Sequence, residues 1–383
     1  MNKPNYLDGS IVNLMSSISG AFGTKHKYNP LKLLQPEELK NSKNIVLLVI
    51  DGLGYEYLTK KCKGSFLEKN TRGKITSVYP PTTGAAIPTF MTGLAPQQHA
   101  LTGWFVNFKE LGVVSIFFKF APRAGGIPFS MFGINISNLL GLKGFDQTIK
   151  AKCYQVTQFA DTDFSQALST NSKMLAYEAG DMRGFFSLIK KAINLGKARK
   201  YIYAYWPDFD GVGHETGMKS KKTKDHFKKI DKKVKDLVKN LKGTNTALII
   251  TADHGLKDVT KRIFIEDHPK LKECLSTPIC GDSRASYCYV RPSKVKQFEA
   301  YVKTKLSKYC YLYKSEDLVK QNFFGLYKPN LKLFDRIGDY VLISKEGNII
   351  KDRILDQIDH NLVGHHSGLS DEELYVPLIV FKL

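Results

Sequence analysis

Residues 43–54 read KNIVLLVIDGLG, and this stretch decides the fold. From Ile45 to Ile50 every side chain is apolar and most are β-branched, and the run stops at Asp51-Gly52. A strand apolar on both faces is one that helices cover from both sides. Lys43–Ile50 therefore predicts a buried parallel strand followed by a turn, with Asp51 at its carboxyl end. Working outward, Lys74–Tyr79 is a second short strand, Lys200–Trp206 (KYIYAYW) alternates before breaking at Pro207, and Thr246–Thr251 (TALIIT) ends at Ala252-Asp253-His254. Tyr375–Phe381 (YVPLIVF) is a last strand. Helices are expected at Ala85–Thr92, stopping at Gly93, at Met174–Leu195 and at Asp225–Leu241. In the third, Phe227, Ile230, Val234, Leu237, Val238 and Leu241 recur at helical spacing with lysines opposite, the pattern of a helix lying on a sheet.

Strands alternating with helices predict an α/β fold with a mostly parallel central sheet flanked by helices on both faces. The texture changes at about Arg262, where a strand at Ser286–Arg291, a helix at Ser293–Leu306 and a strand at Tyr309–Tyr313 read as a small α+β unit. The expected division is a main domain of residues 1–261 and 349–383 with an inserted subdomain of residues 262–348. From Trp104 to residue 200 the aromatic pieces Trp104-Phe105, Phe117–Phe120 and Phe129–Phe132 are separated by glycines; they could line a substrate pocket, but aromatics in such numbers are more often core.

The chain has 383 residues with 43% hydrophobic and 11% aromatic content, enough for a large core. No apolar run approaches the ~18 residues of a membrane span, and the N-terminal stretch has Asn, Asp and Ser where a secretory signal is apolar. The expectation is a cytoplasmic protein without a membrane span. Six cysteines, Cys62, Cys153, Cys274, Cys280, Cys288 and Cys310, form no CxxC pair, so free thiols are expected. The net charge of +21 suggests nucleic acid, but only nine of the 57 basic residues are arginine. Lysine as surface cover explains the charge and leaves attraction of anionic substrates as a secondary effect, without sequence-specific readout of nucleic acid.

The polar residues at the strand ends form a series. Asp51 follows one strand, Asp210 and His214 (DGVGH) another, Asp253-His254 a third, and His366 in GHHSG precedes the last. Each alone is ordinary turn or surface chemistry. In an open sheet, however, ligands bind at the carboxyl ends of strands, so these residues converge on one crevice. Three carboxylates and three imidazoles match the donor count for two zinc-like ions, although manganese or iron accepts the same set. His365 competes with His366, while His99, His226, His268 and His360 are assigned structural or surface roles. In the turn Ser77–Thr83, Thr82 or Thr83 reads locally as the cap of the following helix, and beside this cluster Thr83 becomes a candidate nucleophile.

Taken together, VIDGLG at 49–54, YPPTTGAAIPTFMTGLAPQQHALTG at 79–103, PDFDGVGHETG at 207–217, TADHG at 251–255, GDSRA at 281–285 and GHHSGLSDEELYVPLIV at 364–380 carry a resemblance. The chain resembles the alkaline phosphatase superfamily and, within it, the compact bacterial form of the nucleotide pyrophosphatase/phosphodiesterase branch. The resemblance implies an alkaline-phosphatase-like sheet with an inserted subdomain and two Zn2+ ions. Asp51, Thr83, Asp253 and His254 would surround one ion, and Asp210, His214 and His366 would hold the other. It further implies that Thr83 attacks a small phosphodiester or nucleotide and forms a phosphothreonine intermediate. Eukaryotic relatives carry an asparagine three residues after the nucleophile; here the position is Ala86, so the N–H of Gly84 or Ala85 is expected to serve the phosphoryl oxygen. Threonine and the aromatic region 104–132 favour a diester, whereas Arg284 or a lysine of the inserted unit would favour a monoester. A phosphomonoesterase or phosphonate hydrolase on the same core is the enzymatic alternative. A basic polyanion-binding module with a structural metal site is the non-enzymatic one.

Overall fold

The structure is a computed structural model and describes residues 2–354 and 361–383; the histidine at position 360, assigned above to the surface, lies outside them. Seven strands form the central sheet: β1 (Asn44–Ile50), β2 (Thr71–Thr76), β3 (Lys152–Thr157), β4 (Ser172–Ala176), β5 (Lys200–Trp206), β6 (Thr246–Thr251) and β7 (Tyr375–Lys382). Their spatial order is β2-β7-β6-β1-β5-β3-β4. β1 sits in the middle, parallel to both neighbours, with Asn44 opposite Lys200 on one side and Thr246 on the other. Every residue of β1, β5 and β6 is buried, as their unbroken apolar runs require. β7 alone runs against the rest, antiparallel to β6 and to β2. Its amino-terminal end therefore lies at the edge where the parallel strands have their carboxyl ends.

Helices α1 (Ile11–Ala21), α2 (Thr83–Thr92), α3 (Met182–Asn194), α4 (Asp208–Thr216) and α5 (Lys221–Asn240) flank this sheet. α5 buries Phe227, Ile230, Val234, Leu237 and Val238 and begins at Ser220, whose side chain accepts from the N–H of Thr223. Each such buried side chain contributes about 1.5–3 kcal/mol, so the helix is held by its apolar stripe while its lysines stay in water. No helix among the described residues is long and apolar enough to cross a membrane. All six cysteines are buried and unpaired.

Two elements differ most from the sequence expectation. The strand expected at Lys74–Tyr79 is β2, at Thr71–Thr76; it is an edge strand whose first residues alternate with solvent, so no apolar run announces its start. The helix expected over Met174–Leu195 is divided. Met174 and Leu175 pair with Gln155 and Val156 in β4, the chain turns at Gly180 with φ +80°, and α3 starts after Asp181, which caps the N–H of Gly184. A short apolar run such as MLA does not distinguish strand from helix until its partner strand is present.

A second sheet of seven strands packs beside the first. Its order is Cys310–Lys314, Tyr340–Ser344, Ala285–Cys288, Cys280–Asp282, Phe105–Phe108, Val113–Ile116 and Ala121–Pro122, all antiparallel. Four strands fall within residues 262–348, and three come from the aromatic region 105–122. The two groups meet where Gly281 pairs with Phe105.

Candidate active site

Three neighbouring strands deliver carboxylates to one edge. Asp51 follows β1, and its backbone N–H donates to the carbonyl of Trp206, so it continues the ladder by one residue. The turn behind it needs Gly52, at φ +74°, and the Gly52 N–H donates to Asp253 Oδ1 at 3.1 Å. Asp253 Oδ1 also accepts from the N–H of His254 at 2.9 Å, while Ser77 donates its hydroxyl proton to the Asp253 carbonyl. The fully buried His254 points Nε2 at Asp253 Oδ2 (3.3 Å) and Asp51 Oδ1 (3.4 Å).

Asp210 and His214 come from α4, which starts directly after β5 at Pro207. Their spacing of four places them on one helix face, with His214 Nε2 3.1 Å from Asp210 Oδ2. His214 Nδ1 donates to the Gly364 carbonyl at 2.7 Å, which fixes the ring with Nε2 turned toward Asp210. The Val363 N–H donates to the His214 carbonyl, so the loop carrying His365 and His366 is tied to the end of α4. His366 stacks on His254 with ring centroids 3.9 Å apart.

Thr83 is the first residue of α2, and Thr82 is its cap. The helix starts two residues earlier than Ala85. A Cβ on Gly84 would meet the backbone of Gly103, so glycine there allows residues 103–104 to lie against the helix start. The Ala85 and Ala86 N–H groups both donate to the Thr82 carbonyl. Ala85 is thus withdrawn from the donor role expected for it, and Ala86 is wholly buried. The Thr83 hydroxyl is half-buried and lies 3.0 Å from His254 Nε2. His254 Nδ1 is directed at the Gly255 carbonyl at 3.2 Å, so its Nε2 is the acceptor.

The charges are arranged for a cation. Burial, reinforced by the neighbouring charges of Asp253 and Asp210, pushes the Asp51 carboxyl well above its usual range, and burial also raises Asp253. Burial opposes ionisation of Asp210 too, but the imidazoles of His214 and His254 outweigh it and hold that carboxyl low. Burial, then the nearby His254 and His214, keeps His366 neutral. Asp51 Oδ1, Asp210 Oδ1, Asp253 Oδ2 and His366 Nδ1 are buried without a hydrogen-bond partner among the described residues. Two groups of donor atoms, Asp51/Asp253/His254 and Asp210/His254/His366, each lie within 4.8 Å of one another. Orphaned carboxylate oxygens and neutral imidazoles in mutual reach fit divalent cations, since uncompensated buried carboxylates are otherwise costly.

The structure brings Asp51, Thr83, Asp210, His214, Asp253, His254 and His366 together. His254 stands between the two groups of donors, and His214 joins through Asp210. Arg284 is not at hand for substrate: it is 1% exposed, and its Nε and Nη2 donate to the two carboxylate oxygens of Glu373 at 2.6 and 2.9 Å. The same carboxylate accepts from the Gly368 N–H and the Ser370 hydroxyl, so this ion pair clamps the loop after His366. His99 is structural as expected. The Leu101 N–H donates to its Nδ1, its Nε2 meets Thr89, and burial lowers its pKa to about 3.

Sequence reasoning missed Tyr205, whose hydroxyl donates to Asp51 Oδ2. Its signal was the alternation in KYIYAYW, which places Tyr205 opposite Val49 once β5 is known to neighbour β1. It offered Trp104 as pocket lining but missed Asp282 beside it, whose Oδ2 accepts from the Trp104 N–H at 3.3 Å.

A family model described as type I phosphodiesterase / nucleotide pyrophosphatase matches residues 45–369. No curated protein matches the chain in sequence. Among solved structures, murine ectonucleotide pyrophosphatase/phosphodiesterase 5, in an inactive form with AMP, is similar with a TM-score of 0.65 at 18% identity, over 87% of each chain. The human protein of the same name gives 0.62 at 17% identity, over 88% of this chain and 87% of that one. Phosphonoacetate hydrolase from Sinorhizobium meliloti 1021, with phosphonoformate, gives 0.65 at 16% identity, over 89% of this chain and 90% of that one.

Proposed function

The chain belongs to the type I phosphodiesterase / nucleotide pyrophosphatase family, and from that premise we propose that it hydrolyses phosphodiester or phosphoanhydride bonds with Thr83 as nucleophile. The observation that carries this reading is the Thr83 hydroxyl, at a helix start and 3.0 Å from His254 Nε2, beside buried carboxylates that lack partners. Asp51, Asp253, His254 and Thr83 would hold one divalent ion and Asp210, His214 and His366 the other, zinc suiting this nitrogen and oxygen set. Bound there, such ions lower the pKa of the hydroxyl and offset the charge of the phosphoryl oxygens.

The residues of the chain then do the following. Thr83 Oγ attacks phosphorus in line with the departing oxygen, forming a phosphothreonine, and water displaces Thr83 from the opposite side, so configuration at phosphorus is retained. The Gly84 N–H, at the start of α2 and without a backbone partner among the described residues, serves a phosphoryl oxygen in place of the family's asparagine. Tyr205 orients Asp51, and the Gly364 carbonyl orients His214. A larger chamber beside Thr83, about 710 Å3 and lined by Ile87, Phe118 and Phe164, suits an organic substituent and so favours a diester. Six unpaired cysteines support a cytoplasmic setting.

The test is turnover of bis(p-nitrophenyl) phosphate, p-nitrophenyl phosphate and phosphonoacetate by the same preparation, before chelation, after it and after return of zinc. Diester hydrolysis that is lost and regained is the expected result. Preference for the monoester or for phosphonoacetate would replace the substrate assignment, and inactivity on all three with unchanged polyanion binding would favour the non-enzymatic module.

A further inference from the structure

Thr83 stands at the junction of two chambers. The larger has an apolar and aromatic wall and carries the carboxylates Asp161, Asp163 and Asp208. The smaller, of about 390 Å3, runs between the central sheet's edge and the second sheet, where Asp282, Ser283, Lys351 and His365 line it. A substrate with two substituents on phosphorus can place one in each. An ester oxygen that leaves phosphorus gathers negative charge, which hydrogen-bond donors stabilise and carboxylates oppose. The smaller chamber's own carboxylates are engaged, Asp352 with Arg123 at 2.5 Å and Asp282 with the Trp104 N–H.

His365 is 7% exposed, and its Nδ1 lies 2.8 Å from Ser283 Oγ. Its Nε2 has no hydrogen-bond partner among the described residues. In the tautomer in which the Ser283 hydroxyl donates to Nδ1, Nε2 carries the ring proton and has nothing among the described residues to give it to. A buried N–H without a partner, in a chamber shared with the nucleophile, is a donor waiting for a substrate oxygen.

We propose that His365 is a substrate-contacting residue whose Nε2–H donates a hydrogen bond to the leaving-group oxygen from the smaller chamber, with Ser283 fixing the tautomer. The inference rests on the reading of Thr83 as the attacking nucleophile. It assigns the leaving group to the smaller chamber and the retained substituent to the aromatic one. It also separates the two adjacent histidines: His366 turns toward His254 and the carboxylates, and His365 toward the substrate.

The experiment compares bis(p-nitrophenyl) phosphate, whose leaving anion is stable by itself, with diphenyl phosphate, whose leaving phenolate is more basic and depends more on a donor. His365→Leu is expected to lower kcat for diphenyl phosphate by about 100-fold, the scale of one lost transition-state donor, and for the nitrophenyl diester by less than about 5-fold. His365→Gln, which restores an N–H at the end of its side chain, recovers most of the loss. Bound metal, measured by elemental analysis, stays at the wild-type level in both variants. Equal losses on the two substrates, or loss of metal, would overturn the proposal; the second result would make His365 a ligand. A wild-type protein inactive on both diesters would instead remove the reading beneath the proposal, and the proposal with it.

Discussion

The two sheets place functional groups by opposite means. At the carboxyl edge of the central sheet, β1, β5 and β6 are neighbours, each buried along its whole length, and each is followed within four residues by an acid of the cluster: Asp51, Asp210 and Asp253. Strand and candidate ligand are close in sequence, so burial of the run largely determines where the carboxylate must appear. In the second sheet the strands are short and come from residues 105–122 and 280–344. Trp104 and Asp282 face the site only because Phe105 and Gly281 pair across that separation. The difference teaches that this chain encodes its candidate cation cradle locally and the proposed substrate wall by long-range pairing. Changes at the first are therefore expected to act on chemistry and charge, and changes at the second on substrate preference.

The largest effect expected is that of Thr83→Ala, which removes the proposed nucleophile while leaving the carboxylates in place. Turnover of bis(p-nitrophenyl) phosphate should fall by about 10⁴-fold or more, with metal content by elemental analysis close to wild type. An alanine variant that keeps its activity would break the assignment of the cradle to catalysis.

The next largest acts where the two regions are fastened together. Arg284→Met leaves the carboxylate of Glu373 buried and unpaired, and breaking such a pair destabilises by about 3–5 kcal/mol. Urea unfolding should show that loss, and the double change Arg284→Met/Glu373→Leu should recover most of it. A surface-like loss below about 1 kcal/mol would mean that the clamp does not hold the His366 loop.

Charge in the cradle has a pH signature. Folding raises the Asp51 carboxyl, chiefly through burial and then through Asp253 and Asp210, so its protonated form is the one favoured in the metal-free fold. That contribution is present below the ordinary carboxylate pKa near 3.8 and is lost as pH rises through the raised value. Metal-free Asp51→Asn should accordingly be more stable than metal-free wild type, by a margin that widens between pH 5 and pH 8 in thermal melts. Zinc should reverse the order by stabilising the wild type more than the variant, which keeps only the Asp210, His214 and His366 donors intact; the site that Asp51 completes adds about 2.7 kcal/mol at a hundredfold excess over its Kd. A margin that narrows with pH would contradict the charge arrangement.

The smallest effect belongs to the wall. Trp104 is 38% exposed, borders both chambers and packs against Phe118 with centroids 5.7 Å apart. Trp104→Ala should raise KM for a diester with a bulky aromatic arm by about 10-fold, equivalent to roughly 1.4 kcal/mol of lost contact, with kcat within about 2-fold. A matching fall in kcat would move Trp104 from the wall into the reacting centre.

Much of the cradle was legible because its signals are short-ranged. Asp51, Asp253 and His254 follow apolar runs, Asp210 and His214 share a helix face by their spacing, and Thr83 heads a helix. The extent of β2 and the division of Met174–Leu195 were not legible. An edge strand carries no continuous apolar run, and Met174-Leu175 becomes a strand only through its pairing with Gln155 and Val156. Arg284 stayed open as a group that would favour a monoester because its partner, Glu373, lies far along the chain.

By itself the sequence determined the α/β alternation, the strand ends that bear acids, and the order in which the donors occur, because burial of an apolar run and helical spacing are properties of neighbouring residues. Only the tertiary structure decided that His254 stands between the two groups of donors, that Tyr205 holds Asp51, and that His365 and Asp282 form a wall facing Thr83. Those relations depend on the antiparallel entry of β7 and on pairings between distant strands. The free energy for such pairings comes from packing, which no local pattern records.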